Sequence, residues 1–300
     1  MNGVGEGATE SSRWRIELAR ELSKYYTSRD GVRMVVLGGS PPKGLSDEYS
    51  DLDVIVYWDE VDREWLDADP LAELDRKRIF FTRMGESDVY LESHYFGTLK
   101  ADFGHVTMAG WKEMVDDVLV NHNTEPPAQG PLGGFLASLP LSGEALFEEW
   151  RARVADYPEP LAPKMVRTNL RLFVRGYLLH QAFGREELLA YYDGTARMLK
   201  ALLNILCGLN RTYAFTEEPR WIEYYLSRMS LRPERAWERM KLALSGGSDA
   251  DETLEGLLED VLSLVERKMP EVDVDRIRRR RKELRVRPTG EMPELRPKRS

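Results

Sequence analysis

Val35-Val36-Leu37-Gly38-Gly39-Ser40, followed after ten intervening residues by Asp51-Leu52-Asp53-Val54-Ile55-Val56-Tyr57, is the stretch from which the rest of the chain can be read. An apolar run ending in Gly-Gly-Ser predicts a buried strand that meets a tight turn, because glycine adopts backbone conformations closed to other residues. The second run alternates at its start, so Asp51 and Asp53 leave one face of a strand while Leu52 and Val54 leave the other. Two neighbouring carboxylates repel each other, a cost that a fold accepts most readily when a cation sits between them. Oxygen ligands at this spacing suit Mg²⁺, which takes one or two carboxylates and completes its shell with water and substrate phosphates. The Gly-Gly-Ser turn offers backbone N–H groups and a hydroxyl to a phosphate without steric obstruction. Each half alone has a plain structural reading, as a hinge or an exposed strand edge. Their conjunction predicts a metal-and-phosphate site.

The pattern resembles the nucleotidyltransferase superfamily that includes DNA polymerase β, whose signature is an apolar strand, Gly-Gly or Gly-Ser, a spacer of this length, then Asp-x-Asp between apolar residues. Gly39, Ser40, Asp51 and Asp53 match it position by position. Among its members the chain looks most like the bacterial antibiotic nucleotidyltransferases, of aminoglycoside and lincosamide type, which join a catalytic domain to a C-terminal helical bundle. The motif resemblance covers residues 30–107; beyond them it is architectural. Many relatives place Ala-Arg-Gly after the Ser, whereas Pro41-Pro42-Lys43-Gly44 stands here. Two prolines shorten or abolish the small helix expected there, and Lys43 takes the place of the Arg.

The resemblance also implies a third carboxylate on a later strand. Three β-like segments follow the motif, Arg78–Met84, Asp88–Phe96 and Thr98–Met108, with Gly85-Glu86-Ser87 and Gly97 at the turns, so they read as a meander of hairpins. Asp102 lies between Ala101 and Phe103, and an acid flanked by core-like residues is expensive unless paired or metal-bound. Asp102 is therefore the expected third acid, as metal ligand, general base or both; its plain reading is an edge-strand acid facing water. Glu92 is the reserve candidate for the base. The implied reaction is metal-dependent: an acceptor hydroxyl attacks the α-phosphorus of a nucleoside triphosphate, ATP in the first instance, and pyrophosphate leaves. Two Mg²⁺ ions held by Asp51, Asp53 and Asp102 would stabilise the attacking and leaving oxygens. Gly38, Gly39, Ser40 and Lys43 would hold the triphosphate.

The chain has 300 residues, 42% of them hydrophobic, enough for two domains and a substantial core. Its fold class is expected to be α+β: a small mixed sheet flanked by helices, followed by an all-α bundle. Residues 1–28 are expected to hold an N-terminal helix packed on the catalytic domain, 29–134 that domain, 135–275 the bundle, and 276–300 a basic, partly disordered tail. The single cysteine, Cys207, excludes an intramolecular disulfide and reads as a small buried hydrophobe. The N-terminus lacks a basic-plus-apolar signal, and no apolar run approaches the ~18 residues of a membrane span, so a cytoplasmic protein with no membrane partner is expected.

Net charge is −8, yet residues 276–300 carry +8, leaving −16 on the remainder. Such a body disfavours a broad nucleic-acid footprint. The tail has three readings: a surface for RNA or acidic partners, a solvated helix end that runs into a Pro-rich, partly disordered stretch, and a positive segment that packs against the acidic body. Eight acids lie between Asp59 and Asp75, with Arg63 the only base among them. They read either as a negative rim of the cleft that attracts a cationic acceptor or as a solvated helix-and-loop face.

Residues 10–28 predict an amphipathic helix with Trp14, Ile16, Leu18, Leu22 and Tyr25-Tyr26 on its apolar positions. Gly110–His122 predicts another. Asn123–Gly134, rich in Pro, Gly and Gln, reads as a long loop, and Ser142–Asp156 opens the helical part. Helices are expected over 164–184, 185–209, 217–229, 233–245 and 251–268. The resemblance implies that the bundle supplies a cation to the triphosphate, for which Lys200 and Arg211 are candidates. Tyr191, Tyr192 and Trp221 could stack on a base; at helical spacing such rings are more often core. His94, His105, His122 and His180 lack metal-ligand spacing and read as structural or surface residues. The acceptor is a small molecule in the first reading. A protein or tRNA acceptor, a silent nucleotide-binding module and a purely structural helical protein are the alternatives.

Overall fold

The computed structural model of the chain describes residues 8–84, 88–173, 179–217 and 219–284. Helix α1 (Glu10–Thr27) leads into β1 (Val32–Leu37), a 3₁₀ turn at Pro41–Lys43, β2 (Leu52–Trp58) and short α2 (Arg63–Asp67). Strands β3 (Lys77–Arg83), β4 (Val89–Phe96) and β5 (Leu99–Thr107) follow, then α3 (Met108–Leu119), α4 (Pro126–Leu136), β6 (Leu139–Ser142) and α5 (Glu144–Ala155). The remainder is helical: α6 (Leu161–Phe173), α7 (Leu179–Gly184), α8 (Leu188–Leu209), α9 (Ile222–Arg228), α10 (Ala236–Ala243), α11 (Ser248–Lys268) and α12 (Asp275–Leu284). The fold is thus a mixed sheet with helices, followed by a helical region. Among the described residues no helix is long and apolar enough to cross a membrane.

The chain divides into two compact units, residues 1–161 with 212–217, and residues 162–211 with 218–300. In the first, six strands form one sheet in the order β3-β4-β5-β2-β1-β6. Only β2 and β5 run parallel; every other pair is antiparallel. The meander β3-β4-β5 is present as expected, while its first turn, Gly85-Glu86-Ser87, lies outside the described residues. Leu52, Val54, Val56 and Trp58 of β2 face α1, whose Ile16, Ala19, Leu22 and Tyr26 complete a core with Ala101 and Phe103. Alternation therefore sends Asp53 and Asp102 to the other face. There Tyr57 meets Trp111 of α3 and Phe135 of α4 edge-on.

Two elements depart from the sequence reading. The expected loop at Asn123–Gly134 is largely α4. Pro126 and Pro127 sit in the first turn, where no N–H is needed, while Pro131 lies inside the helix; buried Gln129 ties the helix down by donating to Asn123 O and accepting from Ala214 N. Strand β6 was not expected at all: it is four residues long and contains Pro140, tolerable because this strand is a sheet edge. By pairing with β1 it carries the first unit past the break expected at 134/135, and α5 begins only at Glu144.

The second unit is built around α8, which buries thirteen side chains or backbone positions, Cys207 among them. Gly208 lets α8 approach α6, since a Cβ there would lie 3.0 Å from Ala162 O. Tyr191 is buried and donates to Ala243 O, a packing role. The basic run is not wholly tail: it forms α12, where Arg278 pairs with Glu259 and Glu266 and Arg281 with Glu255, all on α11. Residues 285–300 lie outside the described part.

Candidate metal and phosphate site

Three carboxylates converge at one end of the sheet. β1 ends where β2 begins, and Leu37 pairs with Val54, so the Gly38-Gly39-Ser40 turn folds back over the start of β2. Gly38 N–H donates to Asp53 O at 2.8 Å. Parallel pairing of β2 with β5 sets Asp53 directly beside Asp102. The two therefore share a face, with Asp51 two residues earlier on the same side. One oxygen from each of Asp51, Asp53 and Asp102 lies within 4.8 Å of the other two, and all three side chains are partly buried. Burial, then the charges of Asp51 and Asp102, push the Asp53 carboxyl up from its ordinary 3.8 to about 6, with Lys100 and Lys43 partly opposing. That is the electrostatic signature of a site short of positive charge, and hard oxygen donors at this spacing fit a divalent cation.

The turn contributes donors selectively. Gly38 spends its N–H on the sheet, which removes it from the expected phosphate ligands. Among the described residues no acceptor engages the N–H of Gly39 or Ser40. The Ser40 hydroxyl is buried against the Ser46 hydroxyl at 2.9 Å, so it braces the loop. Lys43 donates to Gly39 O at 2.5 Å, and burial lowers its pKa against the pull of Asp53. Gly39 has φ +69°, and a Cβ there would overlap Asp53 Oδ2. Gly39→Ala is expected to cost about 1–2 kcal/mol of stability and to displace the Asp53 carboxylate. Chemical denaturation together with Mg²⁺ titration would check this, and unchanged Mg²⁺ affinity would refute it.

Asp102 is held by two side chains the sequence reading missed. Ser93 Oγ donates to its Oδ1 at 2.6 Å, and Lys100 forms an ion pair with Oδ2. Both were foreseeable in part. Lys100 precedes Asp102 by two and shares its face, and a hairpin closed at Gly97-Thr98 puts Ser93 opposite Asp102. Arg15 gave no such signal. It is buried, donates from Nε and Nη2 to Ser50 O, and so anchors the loop that delivers Asp51.

Glu92, the reserve base, is on the wrong face. It pairs with Phe103 across the hairpin, points toward α1, and is 0% exposed. Tyr26 OH donates to Oε1, and His105 Nε2 stands 3.4 Å from the same oxygen. His94 Nε2 and Arg78 Nη2 lie 3.4 and 3.3 Å from Oε2. Trp58 donates to His105 Nδ1, which leaves the His105 proton on the nitrogen facing Glu92. His94 and His105 are structural, as read.

The acid-rich segment does not border the triad. Asp51 precedes β2 and Asp59 follows it, so the run starts at the far end of a seven-residue strand, roughly 20 Å away. Three of its acids are tied up locally: Asp59 with Arg33, Asp62 with Arg29 and the α2 N-terminus, Asp69 with Arg76. Lys200 and Arg211 belong to the second unit, as do Tyr192 and Trp221.

A profile for a domain of unknown function (DUF4037) matches residues 141–222. No curated protein matches the sequence. Among solved structures, the chain is similar to a nucleotidyltransferase-like protein from Exiguobacterium sibiricum 255-15, at 12% identity, over 86% of this chain and 81% of that one, with a TM-score of 0.39. Similarity that remote assigns no activity, so the local geometry has to carry the reading.

Proposed function

We propose that the protein is a divalent-metal-dependent nucleotidyltransferase that moves a nucleoside monophosphate, AMP from ATP, onto a hydroxyl of a small-molecule acceptor. The observation that carries this is the meeting of Asp51, Asp53 and Asp102 beside a glycine turn with two unengaged N–H groups. A divalent cation such as Mg²⁺ held by the three carboxylates would neutralise charge developing on the phosphoryl oxygens. Gly39 and Ser40 donate their N–H groups to the terminal phosphates, and Lys43 adds positive charge on that side. Asp102, oriented by Ser93 and Lys100, takes the proton of the acceptor hydroxyl as its oxygen bonds to the α-phosphorus. The bond from that phosphorus to pyrophosphate breaks in the same displacement. An aminoglycoside-like antibiotic is the acceptor class we would try first, with protein and tRNA acceptors as the competing reading; the acidic body argues against nucleic acid.

Titration calorimetry with each nucleoside triphosphate, with and without Mg²⁺, on wild type and Asp51→Asn/Asp53→Asn is the test. Mg²⁺-dependent binding that the double variant loses is expected, and it names the nucleotide for a pyrophosphate-release screen of acceptors. Failure of the wild type to bind any triphosphate would overturn the reading.

A further inference from the structure

A cavity of about 790 Å³ opens beside the triad, bounded by the start of α1, the loop before β2 and the β4–β5 hairpin. Its volume suits a drug-sized ligand. Asp51 and Lys100 line it, whereas Gly39 and Ser40 do not. The cavity therefore reaches the triad at Asp51 without including the phosphate donors. Three large rings are exposed on its walls: Trp14 at 40%, Tyr95 at 39% and Tyr49 at 86%. Exposed rings gathered around one cavity are more informative than the same rings scattered singly.

The charge of the walls narrows the occupant. Both cations there are already engaged, Arg15 with Ser50 O and the Trp14 ring, Lys100 with Asp102. Glu10 and Glu48 have no ion-pair partner among the described residues. Unneutralised carboxylates repel a triphosphate and attract an amine, and aromatic faces add to that preference.

We propose that this cavity is the acceptor site, and that the acceptor is a ring-bearing cationic amine whose rings lie against Trp14 and Tyr95 and whose amine faces Glu10 and Glu48. This rests on the transfer reading above, and the test separates the two. The probe is proflavine, a planar cation, followed by fluorescence on the full chain, with the dianion fluorescein as the control. Proflavine is expected to bind, and Glu10→Gln/Glu48→Gln or Trp14→Ala to weaken it about tenfold. Circular dichroism confirms that the variants fold, and ATP–Mg²⁺ affinity should be the same in wild type and in Glu10→Gln/Glu48→Gln. No proflavine binding, equal binding by the variants, or equal binding of fluorescein would overturn the acceptor site even if ATP binds. Loss of ATP binding with proflavine binding intact would sink the transfer reading and leave a cation-binding cavity.

Discussion

Asp53→Asn is expected to raise the thermal midpoint of the metal-free protein by several degrees at pH 8 and to lower the proposed nucleotidyl transfer on the order of 10³-fold. Both effects have one cause. Asp53 sits between Asp51 and Asp102, and its carboxyl titrates near 6 in the fold against an ordinary 3.8. Between those two values the folded state keeps a proton that the unfolded chain has released, so stability falls as pH rises through that window. Above about pH 6 the full cost is present, on the order of 2–3 kcal/mol. An uncharged Asn removes that cost together with a metal ligand. The gap between variant and wild type should therefore narrow toward pH 4, where Asp53 of the wild type is itself protonated. Mg²⁺ should raise the midpoint of the wild type and not of the variant, because Asp53 is one of the three carboxylates proposed to hold it. Calorimetric scans in EDTA and in Mg²⁺ at the two pH values would show this. A variant less stable than wild type at pH 8 would contradict the repulsion.

Glu92 should behave in the opposite way. Glu92→Ala is expected to destabilise the protein by about 3–5 kcal/mol, because it strands Arg78, Tyr26 and two fully buried histidines without their common acceptor. Burial alone would raise this carboxyl, yet the adjoining His105 and His94 rings and the hydrogen bond from Tyr26 bring it down from 4.5 to about 2. A depressed carboxylate contributes stability that is complete above about pH 4.5 and is lost as pH falls toward 2. Glu92→Gln preserves shape without charge, so it should be milder and should flatten the acid limb of the stability profile. Urea unfolding at pH 7 and pH 3 measures both. If Glu92→Ala unfolds outright, the Gln variant still decides: an unchanged acid limb would show that the network does not hold Glu92 ionised. Mg²⁺ affinity should survive Glu92→Gln, since Glu92 and the triad occupy opposite faces of the sheet.

These two acids also show how far the chain could be read. Both stand within strands, and their immediate neighbours alone do not separate an acid of the triad from the hub of a buried polar network. Asp51 and Asp53 were legible because the glycine turn precedes them and their alternation assigns a face. Asp102 was expected only through the resemblance, and its place beside Asp53 comes from the strand register. Ser93 was recoverable from hairpin arithmetic, whereas Arg15 was not, because its partner Ser50 lies in a loop that only packing brings against α1. The prolines and glycines of 123–134 suggested a loop, yet a helix can begin on Pro126 and Pro127 when a side chain such as Gln129 secures it from outside.

The sequence by itself determined the strand–turn–strand unit, the face on which Asp51 and Asp53 emerge, the β3-β4-β5 meander and most of the later helices. Those depend on contacts between residues close in the chain, whose geometry alternation, turn residues and helical period specify. Tertiary structure alone decided that β5 lies parallel to β2 with Asp102 beside Asp53, that β6 closes the far edge, and that the acid-rich segment starts at the wrong end of its strand. It also decided that Glu92 faces α1. A parallel pair has no turn to fix its register, so the register is set by how Leu52, Val54, Val56 and Phe103 pack against α1, and that packing is what assembles the triad.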